Sequence, residues 1–276
     1  MNTQKVIISG MHRSGTSLIT QWLSQCGLMI GEQLLGKGIG NDDGHFEDLE
    51  FYKFHLGVLN SQQQPESGYV LEELAPMTEA QLAIARQLIE SRNEKFNQWG
   101  WKDPRTCLFL NDYHQLIPDA NYLIIIRDFQ AIVTSLIKRD YKVIHNNDPV
   151  NPNPGFFERI KIARAKKKEI DNLCRTNASF FLKVWIQYSR HLLTLTQQIP
   201  AERFRVINYQ SLLEKDRFIF NDICKNWNLN LNYIDFRTIF KPSMINESLP
   251  LEKFIDPFIL AEANDLQKKL MSHLAV

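Results

Sequence analysis

Residues 5–28, KVIISGMHRSGTSLITQWLSQCGL, decide the fold, because they spell a buried strand, a tight glycine loop and an amphipathic helix in direct succession. Val6, Ile7 and Ile8 form a continuous apolar run, the pattern of a parallel strand covered on both faces. Gly10 and Gly15 bracket the loop, and Leu18, Ile19, Trp22 and Leu23 then recur at helical spacing. A strand that feeds a helix through such a loop belongs to an α/β fold built on a parallel sheet. Loop N–H groups and a helix N-terminus together make a site for an anion such as a phosphate.

The two glycines are spaced as in the phosphate-loop pattern G-x-x-x-x-G-K-[ST]. Thr16 stands where that pattern needs its lysine, and Arg13 is the only full cation inside the loop, which argues against ATP or GTP hydrolysis. The run G-M-H-R-S-G-T-S, residues 10–17, resembles the 5′-phosphosulfate-binding loop of sulfotransferases, which use 3′-phosphoadenosine-5′-phosphosulfate (PAPS). The resemblance implies that Gly10, His12, Arg13, Ser14, Gly15, Thr16 and Ser17 bind the 5′-phosphate and sulfuryl end of PAPS, with no metal ion. It further implies that Arg13 takes part in the transfer.

Asn121–Arg127, NYLIIIR, is the clearest strand, and Asp128 is placed to cap a helix running to about Arg139. Arg127 closes the strand and Ser135 follows eight residues later, an R-x7-S spacing that resembles the 3′-phosphate-binding pair of sulfotransferases. An arginine offers a phosphate a fork of donors, and a serine adds another. On the helix Ser135 shares a face with Ala131 and Arg139. Two phosphate sites are what separate PAPS from an ordinary mononucleotide.

In Trp99–Arg105, WGWKDPR, Pro104 halts a short strand and so puts Lys102 and Asp103 at a carboxyl edge, where open α/β sheets bind ligands. K-D-P resembles the motif of tyrosylprotein-type sulfotransferases, which implies that Lys102 stabilises the leaving phosphate oxygen. A salt bridge between these two neighbouring charges is the plain alternative. Gly36, Gly38, Gly40 and Gly44 mark residues 31–45 as a mobile active-site loop, followed from Phe46 by a helix whose apolar face comprises Leu49, Phe54, Leu56 and Leu59. G-H-F-E resembles the segment in which tyrosylprotein and heparan-type sulfotransferases carry a glutamate base, which makes Glu47 the candidate general base. His45 stays a candidate, since cytosolic small-molecule sulfotransferases use a histidine. As an ordinary feature Glu47 is a first-turn glutamate favoured by the helix dipole.

Thr78–Phe96 reads as an amphipathic helix, and residues 141–155, with Asn146, Asn147, Pro149, Pro152 and Pro154, as a long mobile loop. A charged helix with Arg159, Lys161, Arg164, Lys166, Lys167 and Lys168 follows, and then Asn177–Ile199 with its apolar face. Arg203–Tyr209 is a further strand that opens a helix to Trp227, and residues 228–276 form a helical extension. The extension lacks the R-K-G-x-x-G segment of cytosolic sulfotransferases, so the resemblance is to the bacterial and tyrosylprotein-like branches.

At 276 residues and 44% hydrophobic content the chain fits one α/β domain, residues 1–276, a central parallel sheet flanked by helices in a three-layer architecture like that of P-loop nucleoside triphosphatases. A net charge of +1 gives no global pull toward nucleic acid or an anionic membrane, so neither is expected as a partner. No stretch matches a membrane span or signal peptide, and a cytoplasmic enzyme is expected. Cys26, Cys107, Cys174 and Cys224 are spaced for neither zinc nor a disulfide framework and read as buried free thiols. The expected reaction is sulfuryl transfer from PAPS to a hydroxyl or amine of a small-molecule, glycan or peptide acceptor; the sequence assigns no oligomeric state. Two alternatives stand beside it. A phosphate-loop nucleotide kinase requires a magnesium-binding carboxylate at Asp103 or Asp128, and a PAPS-binding module without catalysis requires Glu47 and Lys102 to lie far from the loop.

Overall fold

The computed structural model describes residues 3–36, 44–147, 153–242 and 248–275. Gly38 and Gly40 of the first loop, and Pro149 and Pro152 of the second, lie outside the described residues. Four strands, β1 (Gln4–Ser9), β2 (Gln98–Lys102), β3 (Asn121–Ile125) and β4 (Phe204–Ile207), form one sheet in the order β2-β1-β3-β4. All pairings are parallel, with Ile8 opposite both Lys102 and Leu123. The strands match the four expected from sequence, because each is a short apolar run that a two-sided core requires.

Alternation along the strands divides that core in two. Ile7, Trp99, Trp101, Tyr122, Ile124 and Val206 face one layer, packed with α2 (Leu49–Ser61), α3 (Glu79–Lys95), α4 (Leu110–Leu116), α5 (Phe129–Ile144), α6 (Phe156–Gln198) and α8 (Pro257–Met271). Val6, Ile8, Leu123, Ile125 and Ile207 face the other, covered by α1 (Thr16–Gln25) and α7 (Tyr209–Asn226). Helices on both faces of a parallel sheet give the expected three layers. The edge strand β4 is closed off near the C-terminus, where Ala275 N donates to Val206 O at 2.9 Å. Among the described residues no helix is long and apolar enough to cross a membrane.

Several elements differ from the sequence reading. The α5 helix runs on to Ile144, five residues past Arg139, because the first breakers, Asn146 and Asn147, come only afterwards. The charged stretch after Gly155 and the apolar stretch ending at Gln198 are one 43-residue helix, α6. No glycine or proline interrupts it, and its first part stays helical without burying a face. The α2 helix buries Phe51, His55, Val58 and Leu59 rather than Leu49, Phe54 and Leu56, so its inner face contains a histidine. Cys26, Cys107 and Cys174 are buried free thiols, but Cys224 is half-exposed.

Gly100 shows how tightly β2 lies against β1, since a Cβ there would stand 2.2 Å from the Val6 carbonyl oxygen. Gly100→Ala should therefore cost about 1–3 kcal/mol or more, the usual range for overpacking. A lowered urea midpoint with an unchanged slope is the expected result, and an unchanged midpoint would show that the sheet gives way freely.

Candidate active site

The strand order places a topological switch point between β1 and β3, where chain connections leave in opposite directions. The glycine loop occupies it. A Cβ on Gly10 would lie 2.5 Å from Ile125 O and 2.9 Å from Ser14 Oγ, so only glycine lets the loop turn this close to β3. Arg13 and Gly15 adopt left-handed backbone, with φ of 69° and 97°. Left-handed residues within a tight turn are a device of anion nests. Helix α1 then starts at Thr16 with no side-chain cap and no acidic residue in its first turn, so its positive end faces the loop without a competing carboxylate of its own.

Three buried donors around this loop have no partner among the described residues: His12 Nε2, Ser14 Oγ and Arg127 Nε. Burial, reinforced by the charge of Arg105, pushes the His12 imidazole well below its ordinary value of 6.5, so the ring is neutral. It lies edge-on to Tyr69, with ring centroids 5.2 Å apart.

Arg127, two residues past the end of β3 rather than closing the strand, and Ser135 of α5 converge on the loop. Arg127 Nη1 donates to Arg13 O at 3.0 Å, and Arg13 Nε donates to Ser135 Oγ at 3.0 Å. Ser135 is buried, and the group that reaches it across the helix face is the Arg13 side chain. The Arg127 guanidinium also sits 6.0 Å from the Tyr209 ring centroid, at the start of α7. A cavity of about 100 Å³ opens beside it, lined by Trp185, Asn208, Gln210 and Gln267 among others. Gln267 of α8 donates to Asp128 Oδ2 at 3.0 Å and accepts from Phe129 N at 2.9 Å, tying the C-terminal helix to the start of α5.

On the other side of the loop stand Lys102 and Glu47. Lys102 ends β2 and is 1% exposed; its Nζ lies 2.7 Å from Glu47 Oε1 and 3.4 Å from Ser17 Oγ. Glu47 immediately precedes Asp48, the N-cap of α2, and is not a first-turn residue. Its backbone is clamped, because Leu35 N donates to Glu47 O at 2.8 Å and the Arg92 fork of α3 holds the Asp48 carboxylate at 2.9–3.2 Å. Burial raises the Glu47 carboxyl above its ordinary value of 4.5, while the Lys102 charge works against that rise. His45 Nδ1 is 3.9 Å from Glu47 Oε1, and the His45 carbonyl accepts from Ser17 Oγ at 3.1 Å. Burial and the charges of Lys102, Arg13 and Arg105 push the His45 ring down, so it too is neutral at pH 7.

Lys102 and Asp103 do not pair with each other. Asp103 accepts from Arg105 N and Arg105 Nη1, both at 2.9 Å, and from His55 Nδ1 at 2.9 Å. Burial alone would push this carboxyl up, but the His55 hydrogen bond and the Arg105 charge outweigh it and hold it far below the usual carboxylate range. His55 Nε2 meets the Tyr113 hydroxyl at 2.8 Å, which completes a buried chain from α2 to α4. Arg105 extends the cluster toward Glu47, with Nη1 at 3.9 Å from Oε2 and the guanidinium 4.9 Å from the Tyr52 ring centroid.

The two sequence motifs and the Lys102–Glu47 pair are thus assembled around one loop. Sequence reasoning passed over Arg105, His55 and Gln267. Arg105 was available as the last letter of W-G-W-K-D-P-R, and His55 as the polar member of the Phe51/His55/Leu59 face; nothing in sequence pointed to Gln267. Both carboxylates that a magnesium site would need are otherwise engaged: Asp103 as above, and Asp128 in capping Ala131 N at 3.0 Å and accepting from Gln267.

A family model described as "Sulfotransferase family" matches residues 5–233. No curated protein gives a significant sequence match. Among solved structures, a sulfotransferase from Alicyclobacillus acidocaldarius is 14% identical, with TM-score 0.53 and coverage of 100% of this chain and 98% of that one. The sulfotransferase domain from the curacin biosynthetic pathway is 13% identical, with TM-score 0.52 and coverage of 100% and 99%. Sulfotransferase STF9 from Mycobacterium avium is 11% identical, with TM-score 0.51 and coverage of 99% and 76%. At these identities the likeness concerns the fold.

Asp103→Asn should destabilise the protein strongly, because it removes the carboxylate nearest to the buried Arg105 and leaves it only Glu47 at 3.9 Å. Breaking a buried pair from one side costs about 3–5 kcal/mol. Urea unfolding checks this, and a loss near zero would mean that Asp103 carries none of the cluster.

Proposed function

The chain belongs to the sulfotransferase family, and from that premise we propose that it transfers a sulfuryl group from PAPS to a hydroxyl or amine of a small-molecule, glycan or peptide acceptor. The supporting observation is a buried cation and a buried carboxylate side by side against the anion loop: Lys102 Nζ lies 3.4 Å from Ser17 Oγ and 2.7 Å from Glu47 Oε1. The pair lies beside the loop, whereas the alternative of a binding module without catalysis requires Glu47 and Lys102 to lie far from it.

The donor set suits PAPS. Ser14 Oγ, His12 Nε2 and Arg127 Nε are buried donors or potential donors in want of acceptors, and PAPS offers anionic oxygens at both of its ends. In this reading Gly10 to Ser17 hold the 5′ end and Arg127 with Ser135 the 3′-phosphate, with Arg13 linking the two groups through its contacts to both. PAPS supplies a sulfuryl group on a phosphate leaving group. Glu47 takes the proton from the acceptor as the acceptor oxygen or nitrogen bonds to sulfur. The sulfur–oxygen bond to the 5′-phosphate breaks in line, and the electron pair stays on the phosphate oxygen, where the Lys102 charge stabilises it. His45 stands second to Glu47 as base, since burial, and after it the cations around the ring, disfavour its taking a proton.

Glu47→Gln should lower kcat by about 10²–10⁴, the usual contribution of a general base, while leaving donor affinity in place. In the wild type kcat/KM should fall as pH drops through the Glu47 pKa, with the acid limb above 4.5 because burial raises that group. The limb should vanish in Glu47→Gln, and its persistence would move the base to another residue. For Arg127→Ala, calorimetry should show a much larger loss of affinity for PAPS than for adenosine-5′-phosphosulfate, which lacks the 3′-phosphate. Equal losses would remove Arg127 from the 3′ site.

A further inference from the structure

The helices α5 and α6 form an antiparallel pair that extends past the sheet on the side of the loop. Phe129 packs on Trp185, Asn177 Nδ2 donates to Asp140 Oδ2 at 3.2 Å, and Lys166 Nζ lies 5.6 Å from the Tyr141 ring centroid. Tyr188 is still level with the loop, its ring centroid 6.1 Å from that of His12. Some 32 helical residues separate Phe156 from Tyr188, roughly 48 Å at the α-helical rise. The outer stretch, residues 155–168, is exposed at nearly every position, so it is an arm and not part of the core.

The end of the arm is apolar. Phe156 and Phe157 are 73% and 84% exposed, with their ring centroids 5.6 Å apart. Behind the phenylalanines come Arg159, Lys161, Arg164, Lys166, Lys167 and Lys168, all exposed, against only Glu158 and Glu169. At about 100° per residue these six cations spread over roughly 220° of the helix circumference, and the remaining sector holds Glu158, Ile162, Ala165 and Glu169. They begin about 5 Å and end about 18 Å behind Phe156 along the axis.

We propose that the arm docks end-on to an anionic lipid surface, with Phe156 and Phe157 in the interface and the basic belt against the phosphates. Aromatic rings seat at the headgroup–acyl boundary to a depth of about 5–10 Å, and lysines and arginines just behind them meet anionic headgroups. Two adjacent exposed rings at the start of the helix, with cations directly behind them, match the layered order of an anionic membrane, the acyl boundary first and the phosphates outside it. Charge repulsion between two basic arms opposes arm-to-arm pairing with a second copy. The chain's net charge of +1 led to the expectation of no membrane partner, but the surplus is concentrated in this arm. The arm rises from the edge that carries the loop, so docking turns that edge toward the lipid; if the sulfotransferase reading above holds, acceptors lodged in the interface are within its reach.

Co-sedimentation of the full chain with vesicles tests this independently of catalysis. Vesicles rich in phosphatidylserine should retain the protein and phosphatidylcholine vesicles should not, with binding lost in high salt. Phe156→Ser/Phe157→Ser and, separately, Lys161→Glu/Lys168→Glu should each weaken binding about tenfold or more. Both pairs of sites are exposed, and unchanged thermal melting is expected for the variants. Three results would overturn the proposal: equal binding to both vesicle types, variants that bind like the wild type, or binding to polyglutamate in place of lipid, which assigns the arm to an acidic protein. So would a dimer in light scattering that the Phe156/Phe157 variant dissolves, since a second copy would then cover the tip.

Discussion

The ion pair between Glu47 and Lys102 is the contact on which the carboxyl edge of the sheet depends. Each partner is almost completely buried, and each would be costly there alone. Pairing them fixes three otherwise unrelated segments against one another: the end of β2, the residues before α2, and the first turn of α1 through Ser17. The neighbouring cluster of Asp103, Arg105, His55 and Tyr113 repeats the solution one residue further along the chain, and Arg92 on Asp48 repeats it at the cap of α2. The edge is therefore rigid where a transferring group needs fixed charges, with electrostatic interactions strengthened by burial.

Much of this was legible in the sequence, for a physical reason. Buried parallel strands must be short apolar runs, and the Gly10 to Ser17 loop must carry glycine where the backbone nearly touches β3, so both leave marks in the letters themselves. Arg127 and Ser135 were singled out through the R-x7-S resemblance, and the fold brings both against the loop. What escaped was set by tertiary contact. The pairing of Lys102 with Glu47 instead of Asp103 depends on how residues 44–48 return over the sheet, and His55 was passed over because its partners, Asp103 and Tyr113, come from other segments of the chain. The unity of α6 escaped because hydrophobic periodicity signals only the part of a helix that packs, and its outer part packs against little.

The two ends of the molecule carry contrasting charge arrangements. Around the loop, cations are held in fixed contacts by carboxylates and carbonyls, as suits recognition of a ligand of defined shape. Along the outer part of α6 the cations are exposed and outnumber the acids six to two, as suits a diffuse anionic surface. A chain of net charge +1 thus holds two separate concentrations of cations.

Calorimetric titration of the purified protein with 3′-phosphoadenosine-5′-phosphate, with ADP and ATP–magnesium as controls, tests the account most directly. It predicts tight binding that depends on the 3′-phosphate and needs no metal ion. Binding of ATP–magnesium without any preference for the 3′-phosphate would contradict it, and would return Arg127 and Ser135 to purely structural roles.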